Sequence, residues 1–376
     1  MRLPPLVKII LKSLGSLRLT VVSLIFLSIL VVWGTLYQVD HGIYSAQERF
    51  FNAWIILIGG FVPFPAVRTL VALLSVNLLA AAFKKRPVTL STAGIFIMHI
   101  GVALLVGGAV VASTFVQESA VTLAEGQQAT QTYDFSLWKF AVVVNGVKNG
   151  RPCTKTFRYD LGHLRDGKQL RIPPAGVQLS IDKVYTNCGA TLSPSGNGTV
   201  TALSPVATST ERGRNVPGIV FSLRKGDCPT GTPHYVYAGS GHRLPVICGS
   251  DTVTVWLHPV TLALPLKMEL QKFSVEWHPG TRKPKRFETR LRLFGPNIDR
   301  EVVVEMNRPY RYRSFTFYQM GYNEQNGRYV STLAVVKNPL RYLPYIASMV
   351  IVAGCFLYFL VKMIRHLSLL RETTRE

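Results

Sequence analysis

The stretch GIFIMHIGVALLVGGAV, residues 94–110, decides how the chain is read, because His99 is its only ionisable side chain. Extended to 90–114, the run is long enough to cross a hydrocarbon layer of about 30 Å at about 1.5 Å per residue. Three more stretches, 18–37, 67–83 and 342–361, have similar apolar character. They predict an integral membrane protein with four transmembrane α-helices.

The first apolar run follows Lys8, Lys12 and Arg18, as in a signal peptide, but no small-residue cleavage site precedes Gln38 and Asp40. It reads as a retained helix. Basic residues in short flanks stay on the cytoplasmic side. Arg2, Lys8 and Lys12 lie before the first span, KKRP occupies 84–87 between the second and third, and Lys362, Arg365, Arg371 and Arg375 follow the fourth. Both termini are therefore expected inside. The expected order is a cytoplasmic or interfacial segment 1–17, three helices within 18–114, and an extracytoplasmic domain 115–338. A fourth helix, 339–361, and a cytoplasmic tail, 362–376, complete it. Segment 38–66 falls outside, with Tyr44, Phe50, Phe51 and Trp54 expected at headgroup level, and the 84–89 turn falls inside.

The formal charge of +22 divides between topology signal and domain, since residues 113–340 hold 28 Lys and Arg against 16 Asp and Glu. A basic domain facing outward suits anionic headgroups or an acidic ligand, and nucleic acid is not an expected partner. Between 119 and 335, short runs rich in Val, Thr, Phe and Tyr are separated by turn residues, which predicts a large β-rich domain, an antiparallel sheet or sandwich. Alternation is clear in TRLRLF, 289–294, and Gly295-Pro296-Asn297 reads as a hairpin turn. Residues 189–215, rich in Ser, Thr, Gly and Pro, read as a mobile loop.

Cys153, Cys188, Cys228 and Cys248 lie in this domain, an even number with three possible pairings and no C-x-x-C. Structural disulfides, free thiols or a redox pair all remain open at this point. Cys355, within the last span, reads as packing. No nucleophile elbow, P-loop, dinucleotide fingerprint or H-E-x-x-H is present. Most histidines fall in loops, strand ends or the tail; His41, just beyond the first span, keeps some interest. His99 stands apart, because an imidazole in hydrocarbon costs free energy unless its ring nitrogens find partners. Two readings remain: a neutral ring hydrogen-bonded to a neighbouring helix, with Asn77 or Ser75 of the second span as candidates, or a metal or haem ligand.

The order KSLGSLRLTVVSL, GTLYQ, HIGVALLVGGAV, VTLAEGQ, RSFTFYQMGY and KNPLRYLPYIASMVIVAGCFLYF resembles the ResB/CcsB cytochrome c biogenesis proteins. The two ends and FYQMGY carry the resemblance most firmly, and the middle of the exported domain matches little. It implies a subunit of the system II cytochrome c synthase in the bacterial cytoplasmic (inner) membrane. Such a subunit works with a polytopic CcsA/ResC-like partner that carries a tryptophan-rich motif. The pair moves haem outward and attaches it to apocytochrome c. The resemblance assigns His99 as an axial ligand to a transient haem b shared with the partner, and implies a non-catalytic or co-catalytic role in a haem lyase complex. The five tryptophans here are scattered, so ligation chemistry is expected to need the partner. An envelope scaffold and an extracytoplasmic thiol–disulfide relay are the competing functions.

Overall fold

The computed structural model describes residues 13–85, 89–148, 151–172, 177–193, 199–224, 233–248, 251–281, 283–325 and 327–373. Most of the N-terminal interfacial segment, part of the KKRP turn and Cys228 lie outside these residues, as do the side chains of Cys153 and Cys248. Two units are present: Met1–Gln117 with Tyr312–Phe315 and Lys337–Glu376, and Glu118–Arg311 with Thr316–Val336.

The first unit is built on helices α1 (Leu17–His41), α2 (Val67–Lys85), α3 (Leu90–Ser113) and α4 (Leu343–Thr373). Three of them, α1, α3 and α4, are long and apolar enough to cross a membrane. The apolar stretch of α2, Val67–Ala82, is shorter. At 1.5 Å per residue it extends about 24 Å, against roughly 30 Å of hydrocarbon.

Local sequence sets the helix starts. Ser16 caps α1 by accepting from the Leu19 amide, and Thr89 and Thr92 form a reciprocal capping box at α3. Asn77, buried on α2, accepts from Thr20 Oγ1 at 2.6 Å. Its amide nitrogen donates to the Leu14 and Ser16 carbonyls. These bonds satisfy the buried Asn77 amide and tie α2 to the segment that opens α1. Gly15 fits beside them because a methyl there would lie 2.8 Å from the Ala81 amide nitrogen.

Glycine governs the packing of α3 on α4. A methyl at Gly94 would lie 2.6 Å from the Gly354 carbonyl oxygen, and one at Gly354 would lie 2.7 Å from the Met98 amide nitrogen. Seven residues beyond Gly94, a methyl at Gly101 would meet Ile351, and after seven more Gly108 abuts Leu343. Without a hydrophobic drive between helices in lipid, close backbone approach through small residues supplies the dispersion contact. The face marked by the third span's glycines is therefore covered by the chain's own last helix.

Segment 38–66 is more ordered than an interfacial loop. It forms one helical turn (Ile43–Ala46), a π-helical turn (Gln47–Asn52) and a hairpin of β1 (Ile55–Ile58) with β2 (Val62–Pro65). Phe50, expected at headgroup level, is instead fully buried, with Trp33 and Tyr37 edge-on at 5.1 and 5.3 Å. Trp54 remains exposed.

The second unit is β-rich. Its strands begin with β3 (Gln117–Ala124), β4 (Gln128–Lys148), β5 (Arg151–Asp160), β6 (Gln169–Ile172), β7 (Val177–Tyr185), β8 (Cys188–Leu192) and β9 (Val200–Pro205). Then come β10 (Gly218–Arg224), β11 (His234–Tyr237), β12 (Leu244–Cys248), β13 (Asp251–Trp277), β14 (Pro284–Gly295) and β15 (Ile298–Glu305). The last are β16 (Tyr310–Tyr312), β17 (Phe315–Gln325) and β18 (Arg328–Lys337). The large sheet runs β15-β14-β13-β4-β3-β18-β17-β16, with β12 also on β13 and β5 also on β4. A smaller sheet runs β11-β10-β7-β6.

Phe140, Val142, Val144, Val253, Val255 and Leu257 of β4 and β13 share one buried cluster with Leu179, Ile181, Ile219 and Phe221 of the smaller sheet. This is the predicted sandwich. Alternation at 289–294 is real, since Thr289, Leu291 and Leu293 are fully buried. Gly295 pairs with Ile298 across the expected turn. Segment 189–215 departs from the mobile-loop expectation, because β8 pairs with β9. Asn187 ties the segment down, donating to the Ala207 carbonyl at 2.7 Å and accepting from the Val216 amide at 3.0 Å.

Two quoted motifs have structural roles. In FYQMGY, Phe317 is buried and Gln319 donates to Ser331 Oγ and the Gly321 carbonyl, both at 3.0 Å, while Thr289 bonds Ser331 at 2.7 Å. In VTLAEGQ, Gly126 takes φ +81° and its amide donates to the Leu270 carbonyl at 2.7 Å. Glu125 accepts from the Phe273 amide at 2.8 Å, beside the register shift between Leu270 and Lys272.

The glycine contact is open to test by substitution. Gly94→Leu or Gly354→Val should sharply reduce the yield of monodisperse detergent-solubilised protein, because each side chain meets backbone that cannot move aside. Ala109→Leu, at an exposed position of the same helix, should not. Equal size-exclusion profiles for all three would show that the contact does not hold the helices.

Candidate functional site

α3 carries His99 at its tenth residue, half-buried. At about 100° per residue, five residues separate it from Gly94 by about 140° around the helix, so it lies away from the face packed on α4. Its ring makes a local bond: Nδ1 lies 2.8 Å from the carbonyl oxygen of Ile95, one turn earlier. A carbonyl only accepts, so Nδ1 carries a proton, and in the neutral ring Nε2 then holds the lone pair. The described residues give Nε2 no hydrogen-bond partner.

This geometry gives the ring a partner on its own helix and none on the second span. Asn77 spends its amide on Thr20, Leu14 and Ser16, and Ser75 Oγ donates to the Val71 carbonyl at 2.8 Å. Neither is the imidazole's partner. A histidine that ligates a metal commonly donates its second ring N–H to a backbone carbonyl, which fixes the tautomer and aims the lone pair. His99 has that arrangement. Among the described residues no group of three or more His, Cys, Asp and Glu is placed to hold a metal ion. A haem iron is different, because the porphyrin supplies four nitrogens and the protein needs to add only axial ligands. The donor set at His99 thus fits haem and does not fit a bare ion.

His41, the other histidine of interest, stacks on Tyr37 at 3.9 Å with its Nδ1 3.2 Å from the Tyr37 carbonyl oxygen. Arg49 lies over the same tyrosine ring at 5.1 Å. These contacts give His41 a packing role at the end of α1.

Of the four cysteines for which a disulfide was open, Cys188 is a free, buried thiol with Sγ 3.6 Å from the Val216 carbonyl oxygen. Burial pushes its pKa up to about 11. Since the thiolate is the nucleophile, this environment suppresses exchange chemistry at Cys188. Cys355 on α4 is also free.

The basic 282–292 stretch is largely ion-paired. Lys285 bonds Glu276 at 2.6 Å, Arg286 bonds Glu288 and Glu305 at 3.0 and 2.9 Å, and Arg292 grips Asp299 through two bonds of 3.1 Å. These hydrogen bonds hold the Glu276 and Asp299 carboxyls below their usual values. Lys285, Arg286 and Arg292 are thus paired with carboxylates along the strand, as on a solvated face.

Residues 243–329 match the model of the ResB-like family, in agreement with the family indicated by the motifs and with a place in cytochrome c biogenesis. The match contains FYQMGY but otherwise covers strands of the domain whose sequence had read as generic, and it includes neither end of the chain. A comparison with curated proteins returns no match. Among solved structures the chain is similar to the cytochrome c heme lyase CcmF, at 11% identity over 89% of this chain and 34% of that one, with a TM-score of 0.21. The chain thus spans about a third of that protein's length.

The Cys188 environment has a pH signature. Its folded pKa is raised, so the stability it contributes is present below the unfolded value of 9.0 and is lost as pH rises towards about 11. In the folded protein, alkylation of Cys188 at pH 8 should be far slower than in denaturant. Mass spectrometry after timed labelling checks this, and rapid native labelling at pH 8 would contradict the buried-thiol description.

Proposed function

We propose that this chain is a ResB-like subunit of a system II cytochrome c synthase, which helps to carry haem across the membrane and to present it for attachment to apocytochrome c. The observation that carries the reading is His99, held by its Nδ1 bond to the Ile95 carbonyl within an apolar helix, with no partner for Nε2 among the described residues. Bound haem b would supply the vinyl groups that receive the apocytochrome thiols. His99 would give its iron one axial nitrogen, and a CcsA/ResC-like partner would give the second.

The α3 main chain does the positioning. The Ile95 carbonyl keeps the proton on Nδ1 and restricts rotation of the ring. The sequence neighbours of His99, Ile95, Phe96, Ile97, Met98 and Ile100, are apolar. With no cysteine pair in C-x-x-C spacing, this chain's contribution is ligation and docking, not thiol exchange.

The reading includes four crossings, with both termini cytoplasmic and the β-rich unit outside, in the bacterial cytoplasmic membrane. The short α2 is included because KKRP at its end would otherwise stay on the outer side, against the charge rule. A helix about 6 Å shorter than the hydrocarbon is accommodated by local thinning at modest cost.

The test uses the chain co-expressed with its partner and purified as a complex. A Soret band should be present, fall severalfold in His99→Ala, and return when free imidazole is added. Ser75→Ala should leave it unchanged, since Ser75 makes no bond to the ring. A full Soret band in His99→Ala would overturn the ligand assignment.

A further inference from the structure

The outer face of β4, β5 and β13 carries a cavity of about 470 Å³, lined by Lys139, Arg158, Arg243, Trp256 and His258, with Tyr133 and Gln131 among the others. That volume is in the range of small-ligand sites. The strand register explains why these residues meet. Trp256 pairs with Ala141, which pairs with Arg158; in the adjacent row His258 pairs with Lys139, which pairs with Asp160. Thr261 pairs with Tyr133 beyond the bulge at Pro259 and Val260. Because side chains alternate, Trp256 and His258 lie on the face opposite the core residues Val255 and Leu257. Ala141 places only a methyl between Trp256 and Arg158, and a depression results.

The lining chemistry is selective. No carboxylate lines the cavity. Asp160 lies 3.9 Å from Lys139, with both partly exposed, too loose a pair to neutralise the site. Arg243 lies 4.8 Å over the Trp256 ring, so its face is stacked while its edge N–H donors stay free. Gln131 Nε2 donates to Tyr133 Oη at 2.8 Å, which leaves the tyrosine O–H to donate elsewhere. His258 Nδ1 donates to the Pro259 carbonyl at 2.9 Å, again leaving Nε2 with its lone pair. The ion pairs that satisfy the 282–292 stretch have no counterpart at Arg158 and Arg243 among the described residues.

We infer that this cavity is a binding site for a flat, conjugated organic anion bearing carboxylates. Trp256 with its stacked Arg243 supplies the planar surface, and Lys139, Arg158, Arg243 and the Tyr133 hydroxyl supply the donors for carboxylate oxygens. An aliphatic anion would use the charges and waste the aromatic surface. A neutral ring would leave the cations unpaired. The choice of a porphyrin as probe rests on the haem reading proposed above; the chemistry of the cavity does not.

The probe is coproporphyrin III, a water-soluble, metal-free porphyrin tetracarboxylate that cannot use a histidine as an axial ligand. It is titrated by fluorescence into the full chain in detergent, with its tetramethyl ester as the uncharged control. Saturable binding is expected, at least tenfold weaker in Arg158→Gln/Arg243→Gln and in Trp256→Leu, and unchanged in His99→Ala. Ala141→Leu, which fills the depression and leaves every charge in place, should also weaken it tenfold, with circular dichroism confirming that each variant is folded. Binding that is absent, equal for the ester, or unaffected by the cavity substitutions overturns the inference and leaves the Soret test of His99 untouched. Loss of the Soret band in His99→Ala with porphyrin binding intact supports two separate sites.

Discussion

The helical unit depends on the approach of two backbones at Gly94 and Gly354. No side chain intervenes there: each glycine faces main-chain atoms of the other helix at distances a methyl group could not occupy. Lipid tails are as apolar as leucine, so in a membrane this packing cannot draw on hydrophobic burial and must come from close dispersion contact. The same contact fixes which face of α3 is internal, and therefore that His99, about 140° away, is not used to pack α4. The strands that follow α3 and precede α4, β3 and β18, are themselves neighbours in the large sheet. The chain leaves and re-enters the helical unit through two elements that are paired at both stages.

Several buried polar side chains are satisfied by one another or by nearby main chain. Asn77 bonds Thr20, Leu14 and Ser16 at the start of α1, not His99. Thr289, Gln319 and Ser331 satisfy one another between β14, β17 and β18. Ser119 and Thr132 bond at 2.7 Å, with Ser119 also donating to the Val335 carbonyl at 3.0 Å. A half-satisfied network in such places would cost more than an apolar substitute. Two of these residues, Thr289 and Gln319, lie within the family-matched segment, so part of what that match records is sheet architecture.

Much of this was legible in the sequence, for reasons that can be named. Apolar length located the helices, period-two alternation located β14, and Gly295-Pro296-Asn297 located a turn, because each is a local property of the chain. What stayed hidden was non-local. Phe50 reads as an interfacial aromatic until Trp33 and Tyr37 are known to cover it. Ser- and Thr-rich 189–215 reads as a loop because its anchors, Asn187 and Val216, lie just outside or at its edge. The glycines of α3 do not by themselves name their partner, which for Gly94 is Gly354 of the last helix. Trp256 and His258 looked scattered because only the pairing of β13 with β4, and of β4 with β5, sets them beside Lys139 and Arg158.

His99 and His258 share one device and put it to different uses. In each, Nδ1 donates to a nearby main-chain carbonyl, so the ring is oriented and Nε2 is left as a lone-pair donor. Around His99 the neighbours on α3 are apolar, and the strongest interaction open to a neutral nitrogen there is coordination to a metal centre that brings its own equatorial ligands. Around His258 stand Lys139, Arg158 and Arg243, cations that disfavour a bound metal centre of positive charge and favour an anion. The tautomer is set by a local bond in both places, but the function follows from the charge of the surroundings. For that reason the histidine in the helix is the one we propose for iron, and the histidine on the sheet is the one we place at the rim of the inferred anion site.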